Sequence, residues 1–127
     1  MNCLDTNALI DYLHGEEAIA QFLQENRQLP IFAPTVSLHE VFVGAARLRG
    51  RDGIKDAKED LEWVEPLELT VDGAAEAAVI KTELREKGAK IGAMDTLIAG
   101  MVRDSSGSLV TRDDHFDRVD GLDTETY

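Results

Sequence analysis

The chain opens on a short apolar run, Met1 to Leu4, which breaks at once into Asp5, Thr6 and Asn7 before an amphipathic pattern begins at Ala8. This predicts a buried strand whose C-terminal tip presents a carboxylate. Leu9, Ile10 and Leu13 then share a helical face over residues 8–14, stopped by Gly15, and a helix over about 16–26 carries Ile19, Phe22 and Leu23 on one side. Residues 29–33 read as a short strand bounded by Pro30 and Pro34, followed by a helix from Thr35 to about Leu48. Gly50 and Gly53 flank a polar turn into a helix at 54–63. Leu67, Leu69 and Val71 alternate as in a strand with one buried face, spanning 64–71. An alanine-rich helix over 73–87 ends at Gly88, another spans 93–104, Leu109 to Thr111 form the last clear strand, and 122–126 reads as a weak edge strand. Strands alternating with helices predict one α/β domain, residues 1–127, with a mostly parallel sheet covered on both faces.

Composition narrows the function classes. The length suits a single domain with a real core, and 43% apolar residues agree with a globular protein. No apolar run is long enough to cross a bilayer and no signal-peptide pattern opens the chain, so a cytoplasmic protein is expected. The one cysteine, Cys3, lies in the first strand, where it reads as a small buried hydrophobe. The net charge of −12, from 25 acidic against 13 basic residues, opposes nucleic acid over the general surface. At high ionic strength that field is screened and only local site charges matter. The acidic, lysine-poor composition is similar to that of halophile proteins.

Four acids stand apart from the solvated ones. Asp5 and Asp113 each follow an apolar strand, and Glu40 and Asp95 each fall in the first turn of a helix, so a parallel sheet brings all four to one edge. Each has a purely structural alternative. Asp5 can cap the next helix, Glu40 with Ser37 makes a capping box, and Asp113 beside Asp114 suits a turn. Asp95 is harder to explain structurally, because it shares a helical face with Ile98, Ala99 and Val102, where a carboxylate is costly unless paired or bound to a cation. Convergent carboxylates without bases imply raised pKa values, a shared proton or a bound divalent ion. Oxygen ligands select Mg²⁺ or Mn²⁺, whereas Cys3, His14, His39 and His115 lack zinc-ligand spacing. His39 and His115 read as surface residues. Arg47, Arg49 and Arg51 form the only basic cluster visible along the chain.

Four blocks carry a family resemblance: Leu4 to Asp11, Ser37 to Glu40, Ile91 to Ala99, and Val110 to Phe116. In order and spacing they resemble the blocks of PIN-domain nucleases, most closely the VapC-type toxins of toxin–antitoxin pairs. The resemblance covers essentially the whole chain. It implies a three-layer α/β/α sandwich and a Mg²⁺- or Mn²⁺-dependent endoribonuclease, with an RNA substrate, a cognate antitoxin and a homodimeric state. It assigns Asp5, Glu40, Asp95 and Asp113 as catalytic acids. Asp5 and Asp95 would be the metal ligands, joined directly or through water by Glu40 and by Asp113 or Asp114. It gives Thr6, Asn7, Ser37, Thr111 and Arg112 site-shaping or substrate-binding places. A catalytically silent binding module of the same fold, and an aspartyl-phosphate phosphatase or receiver-like domain, are the alternatives. Asn7, where a phosphatase wants Asp, and Arg112, where a receiver wants a nearby lysine, count against the last.

Overall fold

The computed structural model describes residues 1–127. Strands β1 (Asn2–Leu4), β2 (Ile31–Pro34), β3 (Glu65–Leu67), β4 (Ser108–Val110) and β5 (Asp123–Glu125) all pair in parallel, in the order β3-β2-β1-β4-β5. Helices α1 (Thr6–Leu13), α2 (Glu17–Glu25), α3 (Thr35–Asp60), α4 (Val71–Lys87) and α5 (Ala93–Asp104) fill the connections. The order runs outward from β1 through β2 to β3, then crosses to β4 and β5 on the other side. It therefore reverses between β1 and β4, the place where open parallel sheets form a crevice off their carboxyl ends.

Alternation along the strands builds two cores. Leu4, Ile31, Ala33 and Val110 point to one face, against Ala8 and Leu9 of α1, Ile19 of α2 and Val41 of α3. Cys3 and Leu109 point to the other, against Ile80 and Leu84 of α4 and Ile98, Ala99 and Val102 of α5. Helices therefore cover both faces of the sheet, giving the expected α/β/α sandwich. Burial pushes the Cys3 thiol up to about 11, which leaves it an inert core residue. No helix is long and apolar enough to cross a membrane.

Local chemistry moves some boundaries. Residues 35–60, labelled α3, are two helices that meet at a break, as expected, with non-helical backbone at Arg49 and Gly50; the second helix begins a few residues before 54. Gly50 takes φ 60° and ψ −141°, a conformation glycine reaches without a Cβ penalty, and Arg49 pairs with Asp56 across the break. β3 stops at Leu67 instead of continuing to 71, because Thr70 caps α4 by accepting a bond from the Gly73 N–H at 3.0 Å. Leu69 and Val71 are consequently 42% and 87% exposed, so the alternating face is not buried.

Arg103 ties α5 to α4. Its guanidinium meets Glu76 at 2.7 Å and Glu83 at 3.2 Å, and donates to the Asp120 carbonyl at 2.8 Å. Arg103→Ala is expected to lower stability by about 1–3 kcal/mol, since it strips two carboxylates and a carbonyl of their donor. Chemical denaturation measures this, and an unchanged midpoint would mean that the network contributes nothing net.

Candidate active site

The site sits at the point of order reversal. The strand β1 ends at Leu4, so the next residue leaves the sheet at its carboxyl edge, and Asp5 is there held almost fully buried, with 3% exposure. One carboxylate oxygen accepts from the Ala8 N–H at 2.8 Å, capping α1, and the other accepts from the Thr111 hydroxyl at 2.5 Å. Thr111 directly follows β4, so this second bond crosses the β1/β4 crevice. Asp5 therefore does cap its helix, and the cap accounts for only one of its two oxygens. Burial, helped by the charges of Asp113 and Asp95, raises its pKa to about 6 against the two hydrogen bonds.

Asp95 lies in the first turn of α5, behind Gly92 as N-cap. Its pKa is raised, first by burial and then by the charges of Glu40 and Asp113, with His115 acting in the opposite direction. Glu40 is not in a first turn as expected. It lies in the second turn of α3, whose N-cap is Pro34 and which has no side-chain cap. The capping box of Ser37 and Glu40 is accordingly absent. Glu40 instead accepts from the Thr6 hydroxyl at 2.6 Å, a contact between α3 and the start of α1. Ser37 is fully buried one turn earlier and its Oγ has no hydrogen-bond partner. An orphaned buried hydroxyl beside an acidic cluster fits a site that takes a polar guest.

Asp113 accepts from the His115 N–H at 2.9 Å, and its own N–H donates to Thr111 Oγ1 at 2.9 Å. The turn-forming role is thus real, yet the same carboxylate raises both Asp5 and Asp95. Asp113 is half-buried, whereas Asp114 is exposed. Asp113, Asp114 and His115 bring their possible ligand atoms within 4.8 Å of one another, the one such group in the chain; Asp5, Glu40 and Asp95 do not form a group that close. His115 is a surface residue, as expected. Its Nδ1 stands 3.2 Å from Asp113 and its charge reaches Asp95. The Asp-Asp-His run was the available signal.

Arg112 does not present a free cation. Its Nε donates to the Tyr127 carbonyl at 3.1 Å, its Nη1 meets Glu16 at 3.4 Å, and its guanidinium lies 4.4 Å from the Tyr127 ring centroid. The Tyr127 hydroxyl in turn donates to Asp11 at 2.5 Å. This arrangement anchors the loop that carries Thr111 and Asp113, a link between distant residues with no local signature. Asn7 is exposed in the first turn of α1.

No lysine or arginine pairs with Asp5, Glu40, Asp95 or Asp113. Carboxylates crowded together without a counter-charge raise one another's pKa values, and a divalent cation relieves that repulsion. The donor set is rich in oxygen, as hard ions require. Thr111→Val should raise the Asp5 pKa above about 6, because it removes the bond that stabilises the ionised form. A carboxyl ¹³C titration reads it directly, and a pKa unchanged or lowered would contradict the role given to Thr111.

The family model described as PIN domain matches residues 3–122. No curated protein matches the chain by sequence. Among solved structures, the chain resembles one in VapBC2 from Rickettsia felis bound to a DNA fragment from their promoter (TM-score 0.91, 22% identity, covering 99% of this chain and 98% of that one). It also resembles a chain of DNA-bound VapBC from Salmonella typhimurium (0.88, 24%, 98% and 96%). A third likeness is to VapBC-5 from Mycobacterium tuberculosis, a member of the VapBC family of toxin–antitoxin systems (0.70, 24%, 98% and 95%).

Proposed function

This chain belongs to the PIN-domain family, and on that premise we propose that it is a Mg²⁺- or Mn²⁺-dependent endoribonuclease, the toxin of a toxin–antitoxin pair. The observation that supports the reading is the placement of buried Asp5 at the β1/β4 crevice, bonded across it to Thr111, with Asp95, Glu40 and Asp113 brought to the same edge and no lysine or arginine paired with any of the four. Asp5 and Asp95 would hold the ion, with Glu40 and Asp113 joining directly or through water. When bound, such an ion supplies a water of lowered pKa and screens the charge of the phosphate. The chain's own residues orient the donors. Thr111 and the Ala8 N–H fix both oxygens of Asp5, Thr6 fixes Glu40, and Arg112 on Tyr127 holds the loop that carries Thr111 and Asp113. Side chains already locked in this way have little reorganisation to undergo when a phosphodiester arrives. Asn7, exposed at the start of α1, is the polar group offered to substrate.

The structural likeness to VapBC complexes supports a cognate antitoxin as partner, and a homodimer is the assembled state we propose with it. Incubating the purified protein with a mixed RNA pool, with Mg²⁺, with Mn²⁺ and with chelator, tests the reading. Cleavage that requires either ion is expected; no cleavage with both ions, or cleavage that persists in chelator, would overturn it. Encoding beside a small DNA-binding protein whose co-expression blocks that cleavage would separate a toxin from a housekeeping nuclease.

A further inference from the structure

Resting on the nuclease reading, we propose that the groove between α4 and the start of α5 is a subsite for the RNA backbone, engaged by Lys81, Arg85 and Lys90 beside the acidic cluster. The groove has a volume of about 600 Å³ and a floor of α4 alanines with Leu84, Ile91 and Leu97. Its charged lining is wholly basic. Acids outnumber bases 25 to 13 in this chain, so three cations with no acid among them run against the composition.

Lys81 and Arg85 stand four residues apart on α4 and so share one face of that helix. Lys90 comes from the turn that leads into α5. That turn is pinned: Arg118 donates to the Lys90 carbonyl at 2.8 Å, and Lys87 donates to the Arg118 carbonyl at 2.9 Å. None of the three groove cations forms an ion pair, whereas Arg49, Lys87, Arg103 and Arg112 all do. They are exposed and available to an outside anion. The groove reaches Ala93 and Thr96, which bracket Asp95 on α5, so a strand leaving the acidic site passes onto it.

Repeated anionic charge is what three unpaired cations in a row recognise, and the apolar floor accepts any base without hydrogen-bond readout. A second copy of the chain fits less well. A two-fold contact through this face would bring the basic patch against itself.

The test is cleavage of a single-stranded RNA by the full chain in Mg²⁺ between about 50 and 200 mM salt, with the parent beside the variant Lys81→Gln, Arg85→Gln, Lys90→Gln. Oligomeric state and melting are measured in parallel. All three positions are exposed, so the fold is expected to persist. The variant should raise KM about tenfold at low salt and leave kcat unchanged. Its slope of log kcat/KM against log salt should be shallower by about 2, from about 0.7 per phosphate contact on a single strand. An unchanged KM and slope in a parent that does cleave RNA overturns the groove alone. A variant that changes oligomeric state while keeping the parental slope also overturns it, and assigns the face to a second copy. A parent that cleaves no RNA overturns the nuclease reading and the subsite with it.

Discussion

Asp5→Asn is expected to abolish metal-dependent cleavage, by about 10³-fold or more, and at the same time to make the metal-free protein more stable at neutral pH. The two effects have one cause. The folded protein holds a proton on Asp5 up to a pH of about 6, whereas the unfolded chain releases it near the ordinary aspartate value of 3.8. Between those values the native state binds more protons, so stability is fully present below about 4 and falls as pH rises through about 6. A shift of roughly two units is worth about 3 kcal/mol. Asparagine removes that penalty and keeps the structural bonds, since its carbonyl oxygen still accepts from the Ala8 N–H and the Thr111 hydroxyl can turn to accept from its amide. The variant should therefore melt several degrees higher than the parent at pH 7, with the gain vanishing near pH 4. A loss of stability at pH 7 would make Asp5 a structural residue.

Gly100→Ala is expected to be strongly destabilising. A Cβ at Gly100 would stand 2.5 Å from the Ala77 nitrogen and 2.6 Å from its Cα and Cβ, so the α4 backbone itself would have to move. Overpacking of this kind costs about 3 kcal/mol, against about 1 kcal/mol gained in helix propensity when glycine becomes alanine. The net loss of about 2 kcal/mol should lower the melting temperature by roughly 10 °C. Because α5 carries Asp95, cleavage should fall as well. Gly44→Ala on α3 is the control, since nothing lies within 4 Å of its added Cβ. It should be neutral or slightly stabilising, and equal effects at the two positions would show that propensity, rather than the close approach of α4 and α5, decides.

What could be read from the sequence was what local pattern encodes. Asp5 after an apolar strand and Asp95 on an apolar helical stripe are conflicts between a charge and its surroundings, and such conflicts show in a linear chain. The alternation of strands and helices likewise fixes the sandwich, because each strand has to bury two faces. The alternation at Leu69 and Val71 misled because one hydroxyl, on Thr70, starts a helix in the middle of it. The break at Gly50 shows in the sequence because a glycine marks it, whereas the partnership of Glu40 with Thr6 depends on how α3 packs, which no spacing within α3 reveals. Arg112 was read by its neighbour Asp113, while its partners, Glu16 and Tyr127, are far away in the chain. The basic groove was hidden for the same reason: Lys81, Arg85 and Lys90 make no run in the sequence and meet only when α4 ends at the turn before α5.

The central claim is that Asp5, Glu40 and Asp95 form one cation site, and titration calorimetry of Mn²⁺ into the parent and single variants tests it most directly. Asp5→Asn and Asp95→Asn should each weaken Mn²⁺ affinity by about tenfold or more, and Glu40→Gln should weaken it in the same direction. The account would be contradicted if Asp5→Asn left Mn²⁺ binding intact while Asp114→Asn and His115→Ala removed it, because the ion would then belong to the exposed group on the loop and not to the buried crevice.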